Sequence, residues 1–378
     1  MMIKPSTNII RYLDSKIKGY VDKSIGIDKF QDELKEKYKL DKIVRFDLGE
    51  NSDGPPIKVL EELENIKKNP LLISEYPDSN YYKLKNKLAL FYGVETDNIA
   101  VGAGSIELIK NISKCWLDIG SYAIYPVPSF YAIENSILEF GSIPIYIRLK
   151  EEENFRWTES TTNELIRTSM HIIPKLIWLV TPNNPTGGII PLEDILKIIK
   201  NNQNSIVVVD EVFGEYISND ASTINIFREF ENVLILRTFS KAYGMAGLRL
   251  GYCIGSKGLI KILEQIRLDF PITSISERLG IIALEDKDYL KEMREKLLKR
   301  KKQIYKCFED SKIKYIPSDT NIILIKHDNK NLYKELMKRG ILTAIMETKG
   351  LKRKGYVRIT IKNEEENDLL IKSLGEIN

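Results

Sequence analysis

Three segments in the middle of the chain place a polar side chain directly after an apolar run. Asn184 lies in TPNNPTGG after the run LIWLV, Asp210 ends the run IVVVD, and Lys241 lies in RTFSKAYGMAGLRLGY after the run VLIL. Each of them has an ordinary interpretation as a turn, cap or solvent-facing residue. The carboxyl ends of parallel strands, however, meet at one edge of an open α/β sheet, and ligands bind there. The pattern therefore predicts that the three side chains share one site.

Two further features favour an anion site at the same edge. The segment VGAGSIELIK reads as a strand, a glycine turn at Gly104 and a helix that begins near Ser105. Glycines ahead of a helix expose backbone N–H groups that suit a phosphate. Ser240 and Arg249, on either side of Lys241 in the third segment, add a hydroxyl and a cation. The GAGS motif is a weak signal alone and gains meaning only beside the other segments.

Together these side chains supply what pyridoxal phosphate requires of a protein. This cofactor needs a lysine for a Schiff base and a carboxylate that keeps its pyridine nitrogen protonated. It also needs a donor for its phenolate oxygen and a polar, cationic cup for its phosphate. Lys241, Asp210 and Asn184 match the first three requirements. The phosphate cup is offered by Ser105, Ser240 and Arg249.

Short apolar runs alternate with helical stripes around these residues. Runs such as Leu176–Val180 and Ile206–Val209 are bounded by turn residues, which is typical of strands that crossover helices bury on both faces. This alternation predicts an α/β fold with a mainly parallel sheet.

After about Pro271 the pattern changes to a smaller α+β domain. It begins with a long charged helix over roughly 287–308. Two strands follow near 322–325 and 356–361, with a helix at 332–339 between them. We expect an N-terminal segment that joins the small domain or a partner subunit, a large cofactor-binding domain and a small domain, with the bounds 1–45, 46–270 and 271–378.

The composition of the chain argues against several classes of protein. The 378 residues carry a net charge of only +4, so no basic surface of the kind that binds nucleic acid is indicated. No apolar stretch approaches the ~20 residues of a membrane helix, and the charged N-terminus predicts no signal peptide. Three scattered cysteines favour a reducing cytoplasm. Two isolated histidines and the lack of a CxxC motif argue against a metal site or a Ser/His/Asp triad.

Seven motifs in a fixed order resemble the fold-type I pyridoxal-phosphate aminotransferases of class I/II, and within them the histidinol-phosphate aminotransferase branch. The motifs are EYPDSN, GAGSIEL, PVPSF, TPNNPTG, VVVDE, RTFSKAYGMAGLRLGY and YVRITI. The resemblance runs from about Asp47 to the C-terminus. It implies a seven-stranded, mainly parallel sheet in the large domain, a small α+β domain, and a homodimer whose active sites are shared between subunits.

The resemblance also assigns roles by position. It implies that Lys241 binds the cofactor and moves the proton at the substrate Cα, that Asp210 pairs with the pyridine nitrogen, and that Asn184 binds the phenolate oxygen. The substrate is expected to contact Arg358 and Asn51. The remaining cofactor contacts are expected from Gly104, Ser105, Phe130, Ser240 and Arg249, and from Tyr76 of the partner subunit.

Two positions depart from the family pattern. Phe213 stands where the family usually has a tyrosine that donates to the phenolate oxygen, and the lost donor is worth about 1–3 kcal/mol. Ala344 stands where histidinol-phosphate enzymes have a second, phosphate-binding arginine. Nearby cations that could substitute are Lys349, Lys352 and Arg353.

Two enzyme functions stay open at this point. The first is transamination, with glutamate as the expected donor, of a small anionic amine or ketone with or without a phosphate group. The second is decarboxylation of an O-phospho-amino acid such as phosphothreonine or phosphoserine, which Phe213 and Ala344 favour. A non-catalytic binding module is less favoured, because Lys241, Asp210 and Arg249 are all present.

Overall fold

The computed structural model of the chain describes residues 7–17, 26–217, 223–352 and 354–377. The described helices are α1 (Thr7–Ser15), α2 (Ile27–Tyr38), α3 (Ile57–Ile66), α4 (Leu71–Ser74), α5 (Tyr82–Tyr92), α6 (Ser105–Trp116), α7 (Tyr131–Glu139), α8 (Glu159–Ile172), α9 (Leu192–Lys200), α10 (Lys257–Ile266), α11 (Ser274–Ala283), α12 (Tyr289–Asp310), α13 (Leu332–Lys338) and α14 (Glu364–Gly375). Short 3₁₀ turns lie at Thr96–Asn98, Glu151–Glu153, Gly214–Tyr216, Ile226–Arg228 and Ala246–Leu248.

The strands form one large sheet and two small ones. They are β1 (Val44–Arg45), β2 (Ile99–Gly102), β3 (Tyr122–Val127), β4 (Ile143–Arg148), β5 (Leu176–Val180), β6 (Ile206–Asp210), β7 (Val233–Thr238), β8 (Gly251–Gly255), β9 (Lys314–Ile316), β10 (Ile322–Lys326), β11 (Ile341–Leu342), β12 (Ala344–Ile345) and β13 (Val357–Thr360). The large sheet has the order β2-β8-β7-β6-β5-β3-β4. Only β8 runs antiparallel to its neighbours, so the predicted seven-stranded, mainly parallel sheet is confirmed.

The central strands of this sheet are buried on both faces because alternate side chains enter two different cores. In β5, Ile177 and Leu179 pack into the core that includes α5, α8 and α9. Their neighbour Trp178 packs into the opposite core, with α6, α7 and α10. The period-2 geometry of a strand therefore explains why its sequence is continuously apolar rather than alternating.

The C-terminal part forms the predicted smaller α+β unit. Its antiparallel sheet has the order β12-β13-β10-β9, and α12 and α14 pack together beside it. The predicted charged helix is found at Tyr289–Asp310. Strand β1 from the N-terminal part pairs in parallel with β11, so residues 44–45 join the small unit.

The contacts of α11 bear on the domain boundary. This helix packs against α3 and α5, and its Leu279 and Ala283 belong to the core of the large sheet. We therefore favour a boundary near the start of α12, later than residue 270. Within the described ranges, no helix combines the length and the apolar character that crossing a bilayer requires.

A buried charge network supports the sheet just behind its carboxyl edge. Arg237, near the end of β7, donates to Glu211 Oε2 from Nε at 2.9 Å and to Glu215 Oε1 from Nη1 at 3.1 Å. The other oxygen of Glu211 accepts from the backbone N–H and hydroxyl of Thr223 at 2.7 and 2.8 Å. All three charged side chains are at most 6% exposed, so they depend on one another for charge compensation.

Removing the cation of this network should destabilise the fold. For Arg237→Met we expect a loss of about 3–5 kcal/mol in the free energy of unfolding, because two carboxylates would stay buried without their partner. Urea unfolding followed by circular dichroism measures this loss. The control is Lys257→Met, which breaks a pair with Glu95 in which both side chains are more than half exposed and should leave the free energy of unfolding close to that of wild type. Equal losses in the two variants would contradict the account.

Candidate active site

One cavity of about 370 Å³ lies at the carboxyl edge of the large sheet, where the small unit covers it. Both units contribute to its wall, and the turn after β1 closes one side. The polar and aromatic residues of the wall are Glu50, Ser105, Phe130, Tyr131, Asn184, Asp210, Phe213, Thr238, Ser240, Lys241, Arg249 and Arg358. The sheet edge therefore brings together side chains that are up to 308 positions apart in sequence, from Glu50 to Arg358, as the prediction from parallel strands required.

The Lys241 side chain is held over the cavity from the turn after β7. Thr238 Oγ1, at the end of that strand, accepts from the backbone N–H of Ser240 at 3.1 Å. The Lys241 ammonium donates to the Leu48 carbonyl oxygen at 2.7 Å. Burial lowers the pKa of Lys241 to about 8, and the neighbouring Arg358 charge acts in the same direction. A neutral amine, which is the nucleophilic form, is thus accessible near neutral pH.

Asp210 ends β6 with its carboxylate at the floor of the cavity. The side chain is 3% exposed and accepts from the backbone N–H of Val212 at 3.0 Å. Burial raises the pKa of Asp210 to about 6, while the Val212 hydrogen bond and the Lys241 charge oppose the increase. A cationic ring nitrogen placed against this carboxylate would compensate its charge.

An anion cradle forms where α6 begins beside β8. Gly104 precedes the helix with φ +78°, and a Cβ there would lie 2.6 Å from Arg249 Nη2. A Cβ on Gly251 would lie 2.7 Å from the Gly104 carbonyl carbon, so both glycines are required for this close approach. Arg249 Nη1 lies 3.5 Å from Ser240 Oγ. Helix N–H groups, a hydroxyl and a guanidinium therefore converge as a phosphate requires.

Arg358 enters the cavity from β13 of the small unit and is 1% exposed. Its Nη1 donates to Asn184 Oδ1 at 2.6 Å, and its Nη2 donates to the Asp47 carbonyl oxygen. Because the Asn184 oxygen accepts from Arg358, the amide nitrogen is the part of Asn184 that is oriented to donate to a ligand. The guanidinium is held by acceptors on two other segments and is therefore oriented before any ligand binds.

Three predicted site residues lie in different surroundings. Phe130 is on the cavity wall, as its predicted stacking role requires. Tyr76 is outside it, 81% exposed, with its ring 4.7 Å from the ring of Phe270. Asn51 is also off the wall, and its amide donates to the Ala242 carbonyl oxygen at 2.9 Å and to a tyrosine hydroxyl. That geometry ties Asn51 to the backbone next to Lys241, and its substrate contact stays a prediction.

The two departures from the family pattern are both buried at the site. Phe213 lies on the cavity wall, 2% exposed, with its ring centroid 5.3 Å from Lys241 Nζ. Ala344 is 0% exposed and pairs directly with Arg358 across β12 and β13. A side chain at position 344 would therefore lie beside the Arg358 guanidinium.

Neither Lys349 nor Lys352, the two lysines considered as substitutes for the missing arginine, lines the cavity. Lys349 is paired with Glu134 at 3.1 Å, Lys352 is exposed, and Arg353 lies outside the described residues. Among the described side chains of the cavity wall, the cations are Lys241, Arg249 and Arg358.

Sequence reasoning missed three polar residues of the cavity wall, namely Glu50, Tyr131 and Thr238. Glu50 lies in the turn GENSDGPP, which the sequence marks only as a turn, and its charge partly opposes the lowering of the Lys241 pKa. Tyr131 follows Phe130 directly, and their ring centroids are 5.1 Å apart. Two sequence features could have identified two of these residues: Glu50 is an acid next to Gly49, and Tyr131 is an aromatic residue next to Phe130.

Comparisons with known proteins identify the family of the chain. The chain matches the family described as aminotransferase class I and II over residues 41–374. It is 37% identical over 340 residues to a histidinol-phosphate aminotransferase of Thermoanaerobacter sp. (strain X514), which covers 88% of this chain and 92% of the relative. The chain belongs to the class I and II aminotransferases.

Two further similarities cover nearly the whole aminotransferase. A histidinol-phosphate aminotransferase of Methanococcus maripaludis (strain C5) is 32% identical over 379 residues, covering 97% of this chain and 99% of the relative. A crystal structure of histidinol-phosphate aminotransferase from Sinorhizobium meliloti in complex with pyridoxal-5'-phosphate superposes with a TM-score of 0.83. The two chains are 25% identical, and the match covers 99% of this chain and 98% of that one.

The cofactor of this family is pyridoxal 5'-phosphate, and the cavity fits it. A lysine amine with a lowered pKa suits an aldehyde, and a buried carboxylate at a strand end suits a pyridine nitrogen. At the cradle, the start of α6 after Gly104, the Ser240 hydroxyl and the Arg249 guanidinium suit a phosphate. These three features of the cavity would contact three different parts of the cofactor: its aldehyde, its pyridine nitrogen and its phosphate.

The lowered pKa of Lys241 predicts a pH profile for the cofactor-free protein. Reductive methylation with formaldehyde requires the neutral amine, so modification of Lys241, followed by mass spectrometry, should rise with pH around a midpoint of about 8 rather than the ordinary 10.5. Arg358→Ala removes a repelling positive charge and should raise the midpoint. Glu50→Gln removes an attracting negative charge and should lower it. Midpoints that stay unchanged in both variants would contradict this electrostatic account.

Proposed function

We propose that this aminotransferase transfers an amino group between an amino donor, expected to be glutamate, and a small anionic amine or ketone, including phosphorylated ones. The observation that carries the proposal is the convergence of Lys241, Asp210 and a pre-oriented Arg358 on one cavity. The names of the relatives support histidinol phosphate as one candidate substrate. Ala344 argues for testing other phosphorylated amines beside it.

Each residue of the site has a task in this proposal. Bound pyridoxal phosphate supplies an electron sink for the negative charge that develops at the substrate Cα. Asp210 would keep the ring nitrogen protonated, and Asn184 would donate from its amide nitrogen to the phenolate oxygen. Lys241 takes the proton from the substrate and returns it, a task that suits an amine whose pKa lies near the working pH.

Arg358 is proposed to bind the carboxylate or phosphate of the substrate. A guanidinium binds such anions through two parallel hydrogen bonds. The contacts of Arg358 to Asn184 and to the Asp47 carbonyl fix its orientation, so little conformational freedom is lost on binding. Asn184 would thereby contact both groups: its amide oxygen accepts from Arg358, which would hold the substrate anion, and its amide nitrogen would donate to the phenolate oxygen of the cofactor.

Decarboxylation of an O-phospho-amino acid is the second candidate. Phe213 supplies no hydroxyl to the cofactor, and Ala344 supplies no second guanidinium beside Arg358. The same lysine, aspartate and phosphate cradle would serve either reaction. The choice depends on which bond of Cα stands perpendicular to the cofactor ring, and hence on which anion Arg358 holds.

A single-turnover experiment separates the two reactions. Stoichiometric enzyme is mixed separately with glutamate, histidinol phosphate, phosphoserine and phosphothreonine, and the cofactor and products are identified by mass spectrometry. We expect conversion of the cofactor to pyridoxamine phosphate, which establishes transamination and names a donor. Release of carbon dioxide with the cofactor still an aldehyde would establish the decarboxylase instead.

Two variants test the assigned roles in this assay. Lys241→Ala should slow the reaction by about 1,000-fold or more, because no other amine takes over its proton transfer. Arg358→Ala should raise the half-saturating substrate concentration about 10- to 100-fold through loss of a charge-assisted contact, with the cofactor still bound. Activity of Lys241→Ala within a few-fold of wild type would refute the site. Loss of the cofactor in Arg358→Ala would move this residue out of the substrate role.

We also propose a homodimer in which Tyr76 reaches the cofactor phosphate of the partner subunit. Tyr76 and Phe270 form an exposed aromatic pair. Large apolar side chains that are more than a third exposed occur in two stretches of the sequence, 57–73 and 268–270, namely Ile57, Leu60, Leu63, Leu71, Ile73, Leu268 and Phe270. A surface of this kind supports a second copy of the chain as its cover.

Paired variants test the shared site. In a heterodimer of Tyr76→Ala with Lys241→Ala chains, one complete site forms only if Tyr76 acts across subunits, and about half the wild-type activity is then expected per dimer. The reciprocal control pairs a Tyr76→Ala/Lys241→Ala chain with a wild-type chain, which should leave little activity. The opposite pattern, an active control and an inactive first pair, would assign Tyr76 to the cavity of its own chain.

We place the protein in the reducing cytoplasm. Cys115, Cys253 and Cys307 are all free thiols, a state that such a compartment maintains. Localisation of the tagged protein by cell fractionation tests this placement.

A further inference from the structure

The segment 346–356, which connects β12 to β13, is attached to the large domain by a buried carboxylate. Lys349 Nζ lies 3.1 Å from Glu134 Oε1 and 3.8 Å from the centroid of the Tyr146 ring. The Tyr146 hydroxyl donates to the same Glu134 oxygen at 2.7 Å. Glu134 is only 2% exposed. Its charge is therefore compensated by a cation that comes from the other domain.

Two more contacts dock the same segment. Gly350 has φ +86°, and a Cβ there would lie 3.0 Å from Pro128 Cδ, so the segment packs directly on the PVPSF loop. Further along, Lys354 pairs with Glu151 at 2.7 Å, and the Tyr356 hydroxyl donates to the other oxygen of Glu151 at 3.0 Å. The segment is thus held to the large domain along its length.

These attachments link the two walls of the active-site cavity. Glu134 lies in the first turn of α7, which begins directly after Phe130. The docked segment leads within a few residues into β13 and Arg358. The Lys349–Glu134 contact is therefore one of the contacts that connect the Phe130 wall to the strand that carries Arg358.

We propose that Lys349 is a positioning residue, which holds Arg358 at the correct place for the substrate anion by pairing with the buried Glu134. The inference rests on the proposed role of Arg358. Its physical basis is the high cost of a buried carboxylate without a partner, together with the contacts of the Lys349 ammonium with the hydroxyl and the ring of Tyr146. Both favour the docked segment over any arrangement in which it separates from α7.

The test is a substrate titration of the holoenzyme in the glutamate half-reaction. Lys349→Met should raise the half-saturating L-glutamate concentration about 5- to 20-fold, because a displacement of about 1 Å is enough to weaken binding. The maximal rate and the absorbance of the bound cofactor should stay close to wild type. Lys349→Arg, which keeps the charge, should recover most of the loss. Lys352→Met, an exposed lysine of the same segment, is the matched control and should behave as wild type.

A double-mutant cycle separates positioning from a general loss of structure. In an Arg358→Ala background, Lys349→Met should add no further increase, because the contact that it positions is gone. An equal increase in both backgrounds, or no increase in wild type, overturns the inference. If Arg358→Ala itself leaves the half-saturating concentration unchanged, the proposed role of Arg358 fails as well.

If Lys349→Met misfolds, Glu134→Gln/Lys349→Met serves in its place, since it removes the buried charge together with its partner. Circular dichroism verifies its fold. The same increase in half-saturating concentration is expected from it, and a value equal to wild type overturns the inference.

Discussion

The fully buried guanidinium of Arg358 is the constraint on which the active site depends. A buried cation must find acceptors, and here they come from two separate parts of the chain: the side chain of Asn184 and the backbone carbonyl of Asp47. The small domain, the loop after β5 and the turn after β1 are therefore fixed relative to one another by the group that is proposed to bind the substrate. Arg358 therefore links separate parts of the chain and is also the group proposed to bind the substrate.

The site is also shaped by where ionisable groups lose their contact with water. Burial moves the pKa of Lys241 down to about 8 and that of Asp210 up to about 6. Both shifts disfavour charge in the cofactor-free protein, and both groups gain a suitable partner in pyridoxal phosphate. A few residues away, Arg237 and its two glutamates keep their charges buried because they compensate each other. The sheet edge thus combines the ion-paired Arg237 network with two groups, Lys241 and Asp210, whose pKa values lie close to neutral pH.

Phe213 and Ala344 are the two positions of the site at which this aminotransferase departs from the pattern of its family. One removes a hydroxyl beside the cofactor and the other a guanidinium beside Arg358. The lysines near the missing arginine do not take over its place at the cavity, and Lys349 instead ties the segment before β13 to α7. In the proposed function, substrate choice therefore depends on the buried Arg358 and on the contacts that position it.

The sequence alone determined the fold class, the cofactor and the family, because each depends on local patterns. Continuous apolar runs identify buried parallel strands, and Lys241, Asp210 and Asn184 each follow such a run, so the rule of the sheet edge brings them together. Only the tertiary structure decided that Glu50 and Tyr131 line the cavity, that Asn51 faces the backbone of Ala242, and that Lys349 is paired with Glu134. These facts depend on side-chain direction and on contacts between segments far apart in the chain, and no local periodicity encodes either of them.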